Sequence, residues 1–358
     1  MWNAVDHLLE EAIRENAFPG CAIAAGQRGK VLYTNVSGYL VRDGERQVTH
    51  STRYDVGALT QVFVTMPLCM IAVERGLLGP DDTVDRFLPE VPPDKKNITV
   101  AQLLTQTSGL SPHFLLQEEA RSDMRTRWRA LLRHPLASPV GGKVSDSGMG
   151  FLLLGFLLEQ VVFDMPLDEA AKRFVTAPLH MGRTGYLPSG SDVAPTSIRD
   201  ENGVLQPGCP LDGNARFLHG VAGHSGLFTN LEDATRFASM LSLNGRTEDG
   251  VFLSQRAVHL VSTERTRGMN AARGYGFHIT KRQNPFLGLL WPSDGYGLRD
   301  PASGSALAVS PLDGFFTVIL MNGAYTPANR AEGERFLRLC LNAAYAAFQH
   351  ETGCEDCE

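Results

Sequence analysis

Tyr54-Asp55-Val56-Gly57-Ala58-Leu59-Thr60-Gln61-Val62-Phe63-Val64-Thr65 is the stretch whose reading decides the fold. Extended residues lead into Gly57, a turn residue, and an apolar run then continues to Glu74-Arg75-Gly76, where glycine stops a helix. The pattern predicts a helix over about 58–75. Met66, Cys69, Met70 and Val73 fall at helical spacing and read as core contacts, not as a cofactor box. The first turn carries no reactive group. Ala58 offers a methyl group that cannot be acylated, and Gln61, one turn later, a neutral amide that cannot act as a base near neutral pH.

Upstream, residues 4–16 predict a helix with Leu8, Leu9, Ala12 and Ile13 on one face, broken at Phe18-Pro19-Gly20. Residues 21–26 and 30–39 then read as a hairpin joined at Gln27-Arg28-Gly29. Downstream, Ile98 to Leu104 starts a helix that Asn97 or Thr99 could cap. The chain up to about residue 240 is helix and loop with little strand pattern. Strand signals return at 274–279, 304–309 and 315–322, before a long amphipathic helix from about 327 to 350. A sheet assembled from both chain ends, with a helical insertion, is the economical architecture: an α/β (α+β) protein with 1–75 and 240–358 as the sheet part, 76–239 as the mainly helical part, and a cleft between them.

Composition narrows the function. The 358 residues are 43% hydrophobic and carry a net charge of −6, with no Lys/Arg run long enough for a nucleic-acid patch. The start of the chain lacks the basic and apolar regions of a signal peptide, and the apolar run 151–158 is too short to span a bilayer, so a cytoplasmic location is expected. Cys21, Cys69, Cys209 and Cys340 sit in apolar contexts and read as buried thiols. Cys354 and Cys357 form a lone C-x-x-C, which supplies only half of a structural zinc site. With no H-E-x-x-H, no Gly-rich phosphate loop and no metal cluster in the pattern, no metal and no cofactor are expected. The expected partner is a small polar molecule or a protein, with no nucleic acid and no membrane.

Several stretches together resemble the β-lactamase-related serine hydrolases: class C β-lactamases, D-alanyl-D-alanine peptidases and their esterase relatives. Residues 54–61 are similar to the family's nucleophile stretch, in which Ser-Leu-Thr-Lys is common. Residues 98–110 resemble its "ITVRDLLTHTSGL" segment, residues 220–228 a "GVAGHAGLF" segment of the esterase-like branch, and 304–311 with 318–322 the last two core strands. The matches run in family order from about residue 18 to residue 345. The resemblance implies an antiparallel sheet flanked by helices, an all-helical subdomain, and an active site between them, where a Ser attacks a carbonyl and a Lys one turn later takes its proton.

At the matching positions stand Ala58 and Gln61. The family's second motif, Tyr-Ser/Ala-Asn/Asp, falls on Asp146-Ser147-Gly148 in an ungapped register, or on Val144-Ser145-Asp146 with two extra residues before the helix; neither register supplies the Tyr. The third, Lys/His-Thr/Ser-Gly on an edge strand, falls on Arg299-Asp300-Pro301, and Pro removes a backbone N–H there. No motif is intact, while the scaffold segments are.

Asp146 and Arg299 are expected to face each other across the cleft as a charged pair or network with Gln61 and Asp300, either filling a dead pocket or forming a remade ligand site. His224 with Ser225 is the alternative catalytic couple, although adjacent residues rarely point at each other. Ser147, Ser145, Thr60 and Ser305 are hydroxyls near the cleft with no base at Lys or His spacing, and His113 is expected to line the cleft entrance. Three functions follow: a pseudoenzyme binding a small molecule or partner, an esterase or amidase with chemistry relocated to Asp146 or His224, and a purely structural subunit.

Overall fold

The computed structural model describes residues 1–42, 44–88, 90–116, 123–281, 287–323 and 330–353. Its architecture starts at the hairpin of β1 (Gly20–Gln27) and β2 (Lys30–Gly38). Arg28 and Gly29 both take positive φ (46° and 85°), the two-residue turn whose twist matches that of antiparallel strands. β1 then pairs with β6 (Phe315–Met321), which pairs with β5 (Ala306–Val309), β4 (Tyr296–Arg299) and the short edge strand β3 (His278–Ile279), giving the order β2-β1-β6-β5-β4-β3. Every neighbouring pair is antiparallel, with Ile23 opposite Ile319 where the two chain ends meet.

Helices cover both faces of this sheet. Helix α1 (Asn3–Arg14) and the last helix, α5 (Arg330–Thr352), bury Val5, Leu9, Phe336 and Phe348 against Ile23, Phe315 and Ile319. The opposite face of β6, with Phe316, Val318 and Leu320, shares a larger core with Phe237 and Met240 of α4 (Leu231–Ser242) and with α2, the helical run Gly57–Glu74. An antiparallel strand usually alternates because one face meets water; β6 reads Phe-Phe-Thr-Val-Ile-Leu-Met because neither does. The 239/240 boundary drawn from sequence thus falls within α4, which packs on β6 and β1. Between the sheet segments, α3 (Gly148–Leu157) and shorter helices form the helical side, together with a small three-stranded sheet of 54–55, 227–229 and 185–186.

Where sequence and structure differ, local chemistry explains it. The helix expected over 58–75 opens as a 3₁₀ turn (Gly57–Leu59), widens to a π turn (Gln61–Thr65) and becomes α-helical only over Met66–Glu74. Pro67 has no N–H to give to the preceding turn, so the ladder loosens just before it. By length and composition α2 could cross a membrane, yet 78% of it is buried inside the fold. The strand expected at 274–279 shrinks to two residues, since Gly274 N–H bonds to Phe277 O and Gly276, at φ +83°, donates to Leu104 O. Thr99, not Asn97, caps the Val100–Leu104 helix, in a capping box with Gln102. Cys21, Cys69 and Cys340 are buried free thiols and Cys209 is half-buried; Cys354 and Cys357 lie outside the described residues.

Helix α3 approaches the chain before His224 closely enough to exclude side chains. A Cβ on Gly223 would collide with Phe151 O and the backbone of Gly155. Gly223 O also accepts the buried Thr65 hydroxyl at 2.6 Å, so this contact locks α2, α3 and the His224 segment together. Gly223→Ala is expected to lower stability by about 1–3 kcal/mol or more, read as a lower urea midpoint at unchanged slope. An unchanged midpoint would show that the three elements are not held there.

Candidate functional site

The N-terminus of α2 opens into a cleft of about 480 Å³ between the sheet and the helical side. Gly57 takes φ +50°, and a Cβ there would collide with the Asp300 carboxyl group, so glycine is needed for that carboxylate to lie on the helix start. The first helical N–H groups have no partner within the helix. Gly57 N–H donates to Asp55 Oδ1 at 2.9 Å and Ala58 N–H to Asp300 Oδ1 at 3.1 Å. Asp55 Oδ2 accepts from Leu211 N–H at 2.8 Å, tying the 210–212 loop to the same point. Asp300 Oδ2 accepts from Ser303 N–H at 2.6 Å and Ala302 N–H at 3.2 Å. Pro301 therefore lies in a turn beyond β4, not on a strand, and removes no rung from the ladder.

Gln61 is buried, and its Oε1 receives Gln106 Nε2 at 3.4 Å. Gln106 Oε1 accepts from Ser147 N–H at 3.0 Å, and Ser147 Oγ donates to Ser111 O at 2.6 Å while capping α3 at Met149 N–H. Asp146, Ser147 and Gly148 line the cleft; Val144 is instead buried, its backbone N–H and C=O bonded to the Asn270 side chain.

The expected Asp146–Arg299 pair does not form. Asp146 pairs with Arg273, a guanidinium that arrives from the chain just before β3, and its Oδ2 lies 3.9 Å from His278 Nε2. Arg299 turns to Glu334 of α5 at 3.4 Å. The reason is reach and burial: Arg273 is almost fully buried and needs a counter-charge, which Asp146 supplies at the cleft surface. Asp300 likewise joins neither Asp146 nor Gln61 but bonds backbone amides. Burial, and then the Arg273 and Arg299 cations, hold His278 well below the ordinary imidazole range, so it stands as a neutral ring near neutral pH.

On the other wall, His224 Nε2 meets Asp212 Oδ1 at 3.0 Å, with Gly148 leaving room for the ring. Asp212 also caps the Gly213–Phe217 helix through Ala215 N–H. Burial works to raise its pKa, but the His224 hydrogen bond and charge outweigh this and hold it below the usual carboxylate range. His224 Nδ1 and Ser225 Oγ are buried with no hydrogen-bond partner among the described residues. Ala58, Gln61, Ser147, Ser225, Arg299 and Asp300 all border the cleft. His113 does not; it is exposed on its loop, where it exchanges hydrogen bonds with Ser111.

Sequence reading missed Asp55, Gln106, Asp212, Arg273 and His278, which complete the lining. Asp212 had a usable signal, an Asp opening a helix; Arg273 had none, because its partner is remote in sequence. Among the described residues no group of His, Cys, Asp or Glu is arranged to hold a metal ion.

A family profile described as Beta-lactamase matches residues 5–341, and the chain belongs to that family. It is 26% identical over 194 residues to Protein flp of Staphylococcus aureus (strain N315), a match spanning 51% of this chain but only 38% of that protein. It is 24% identical over 377 residues to the N-acetylmuramyl-L-alanine amidase of Bacillus subtilis (strain 168), covering 93% and 85% of the two chains. In three dimensions it is similar to a penicillin-binding protein homolog from Caulobacter crescentus, with a TM-score of 0.73, 18% identity and 97% of each chain covered.

Asp55 makes the site sensitive to pH. Burial is the main cause, aided by the nearby Asp300 and Asp212, and outweighs two N–H bonds to raise its pKa to about 7. An unfolded Asp titrates near ~3.9, so the native state binds this proton more tightly. The associated stability is complete below about pH 4 and is lost as pH rises through about 7. Thermal unfolding across pH 4.5–8 is expected to show this fall, on the order of a few kcal/mol. In Asp55→Asn, which cannot titrate, the slope over that window should flatten; an unchanged slope would assign it elsewhere.

Proposed function

We propose that this protein is a non-catalytic member of its family, a pseudoenzyme whose cleft holds a small polar molecule without turning it over. One observation carries the reading: residue 58 has no hydroxyl, and the amide behind it is already bonded to the Asp300 carboxylate. The position of a nucleophile and the N–H next to it are both closed to a reacting carbonyl. Gln61, where a base would stand, is a buried amide in a chain of neutral hydrogen bonds to Gln106 and Ser147. Yet the cleft is open and lined by groups of both signs, the carboxyl groups of Asp55, Asp212 and Asp300 and the partly exposed guanidinium of Arg299. That polarity suits a zwitterionic molecule.

The Asp212–His224 couple favours a second reading, a hydrolase with relocated chemistry. Against it, Asp212 engages Nε2, and among the described residues no hydroxyl is hydrogen-bonded to Nδ1 for the imidazole to activate.

Two measurements test the proposal. Incubation with a fluorophosphonate and with a β-lactam should give no mass adduct. A thermal-shift panel of amino acids and dipeptides should find zwitterions that stabilise the protein, by about 2.7 kcal/mol at a hundred times Kd, and the effect should vanish in Arg299→Ala. Turnover of simple acyl esters that disappears in His224→Ala would overturn the proposal in favour of the second reading.

A further inference from the structure

Asp300 does more than end a strand. Its carboxylate rests directly on the Gly57–Ala58 backbone, where only a glycine at 57 leaves space, and it is nearly buried. Three backbone amides hold it: Ala58 at the start of α2, and Ala302 and Ser303 in its own turn. The start of an 18-residue buried helix is a natural anion site, since its free N–H groups and the helix dipole both favour negative charge. Here the anion is covalently part of the chain.

The same cleft keeps unmet polar capacity. His224 and Ser225 line the cavity and are at most 5% exposed, and His224 Nδ1 and Ser225 Oγ have no hydrogen-bond partner among the described residues. Buried polar groups are normally paired, so unpaired ones beside a cavity mark where a ligand's polar atoms complete the structure. Near them stand three carboxylates, Asp55, Asp212 and Asp300, close enough for the last two to act on the titration of the first.

We propose that Asp300 is a specificity-determining residue, a built-in anion that occupies the Ala58 amide, bars carboxylate and acyl oxygens from it, and selects ligands presenting an ammonium or guanidinium nitrogen to this wall. The inference rests on the cleft's being a small-molecule site, and it adds the sign of the group that enters first. A carboxylate brought to Ala58 N–H would have to displace an acceptor held at effectively fixed concentration and would meet its charge at contact distance. A cationic nitrogen meets attraction from Asp300 and Asp212 together.

The experiment follows the Ala58 amide by ¹H–¹⁵N correlation spectra of the full chain, wild type, Asp300→Gly and Asp300→Asn, titrated with sodium acetate and with methylammonium chloride. In the wild type, acetate should leave the Ala58 amide unmoved. In Asp300→Gly, acetate should bind at least about tenfold more tightly than in the wild type, with Ala58 the most perturbed amide, and methylammonium at least about tenfold more weakly. Asp300→Asn keeps an acceptor for Ser303 N–H but loses the charge. If the glycine variant fails to fold, loss of the methylammonium response in the asparagine variant supports the proposal and its retention overturns it. An acetate response at Ala58 in the wild type, or none in a folded Asp300→Gly, also overturns it. Silence of the wild type toward every zwitterion sinks the small-molecule reading alone, because the acetate arm still decides what Asp300 occupies.

Discussion

Two amides at the start of a buried helix have to be satisfied, and the organisation of the cleft follows from how that is done. The body of α2 lies in the main core while its first turn is half-buried at the cleft, and an N–H left there without a partner costs on the order of 1–3 kcal/mol. Asp55 serves Gly57 and Asp300 serves Ala58. Each carboxylate also binds a second segment, Asp55 the 210–212 loop and Asp300 the turn between β4 and β5. Capping the helix and joining the sheet to the helical side are thus the same act. The helix dipole favours both negative charges at that end.

That arrangement explains which carboxylates gather at the helix start. The helix start draws in Asp55 and Asp300, and Asp212 follows as the cap of its own short helix. The segment before β3, β3 itself and β4 bring Arg273, His278 and Arg299 to the same cleft. Arg273, deeply buried, takes Asp146; the burial and the flanking guanidinium groups keep His278 uncharged. Only Arg299 retains a partly exposed guanidinium, shared with Glu334.

The fold was legible from sequence because its signals are local. The 28–29 turn, the helix stop at Gly76 and the apolar runs 21–26 and 315–322 each report their own conformation, and the order of the sheet follows once both chain ends carry strands. The lining of the cleft was legible where a position could be counted from an intact neighbouring segment, as for Ala58, Gln61, Ser147 and Asp300. Partnerships were not. Asp146 and Arg299 both line the cleft, but which guanidinium reaches Asp146 depends on the curl of 273–277, and no residue pattern in those glycine-broken positions announces it. β4 was missed as an element of its own because Tyr-Gly-Leu-Arg is short and its glycine weakens any strand pattern; Gly297 is there because a Cβ would collide with Leu307 O of the neighbouring strand.

On the proposed reading the cleft is either a relic or a receptor, and burial separates the two physically. A relic loses nothing by closing: apolar side chains would fill about 480 Å³ of polar space and remove surface from water. Here the floor instead spends hydrogen-bonding groups on holding itself open. Gln106, at φ +61°, keeps a strained backbone while bridging Gln61 to Ser147, and Gly57 holds a positive φ to seat Asp300. For a non-glycine residue such as Gln106, strain of about 1–3 kcal/mol persists only where the surroundings fix it. Ser225 and His224 meanwhile leave buried polar atoms unanswered at the wall. Strained backbone at Gln106 and unmet hydrogen-bonding capacity at Ser225 and His224 occur together at one cavity, which supports the proposed binding of a polar molecule there.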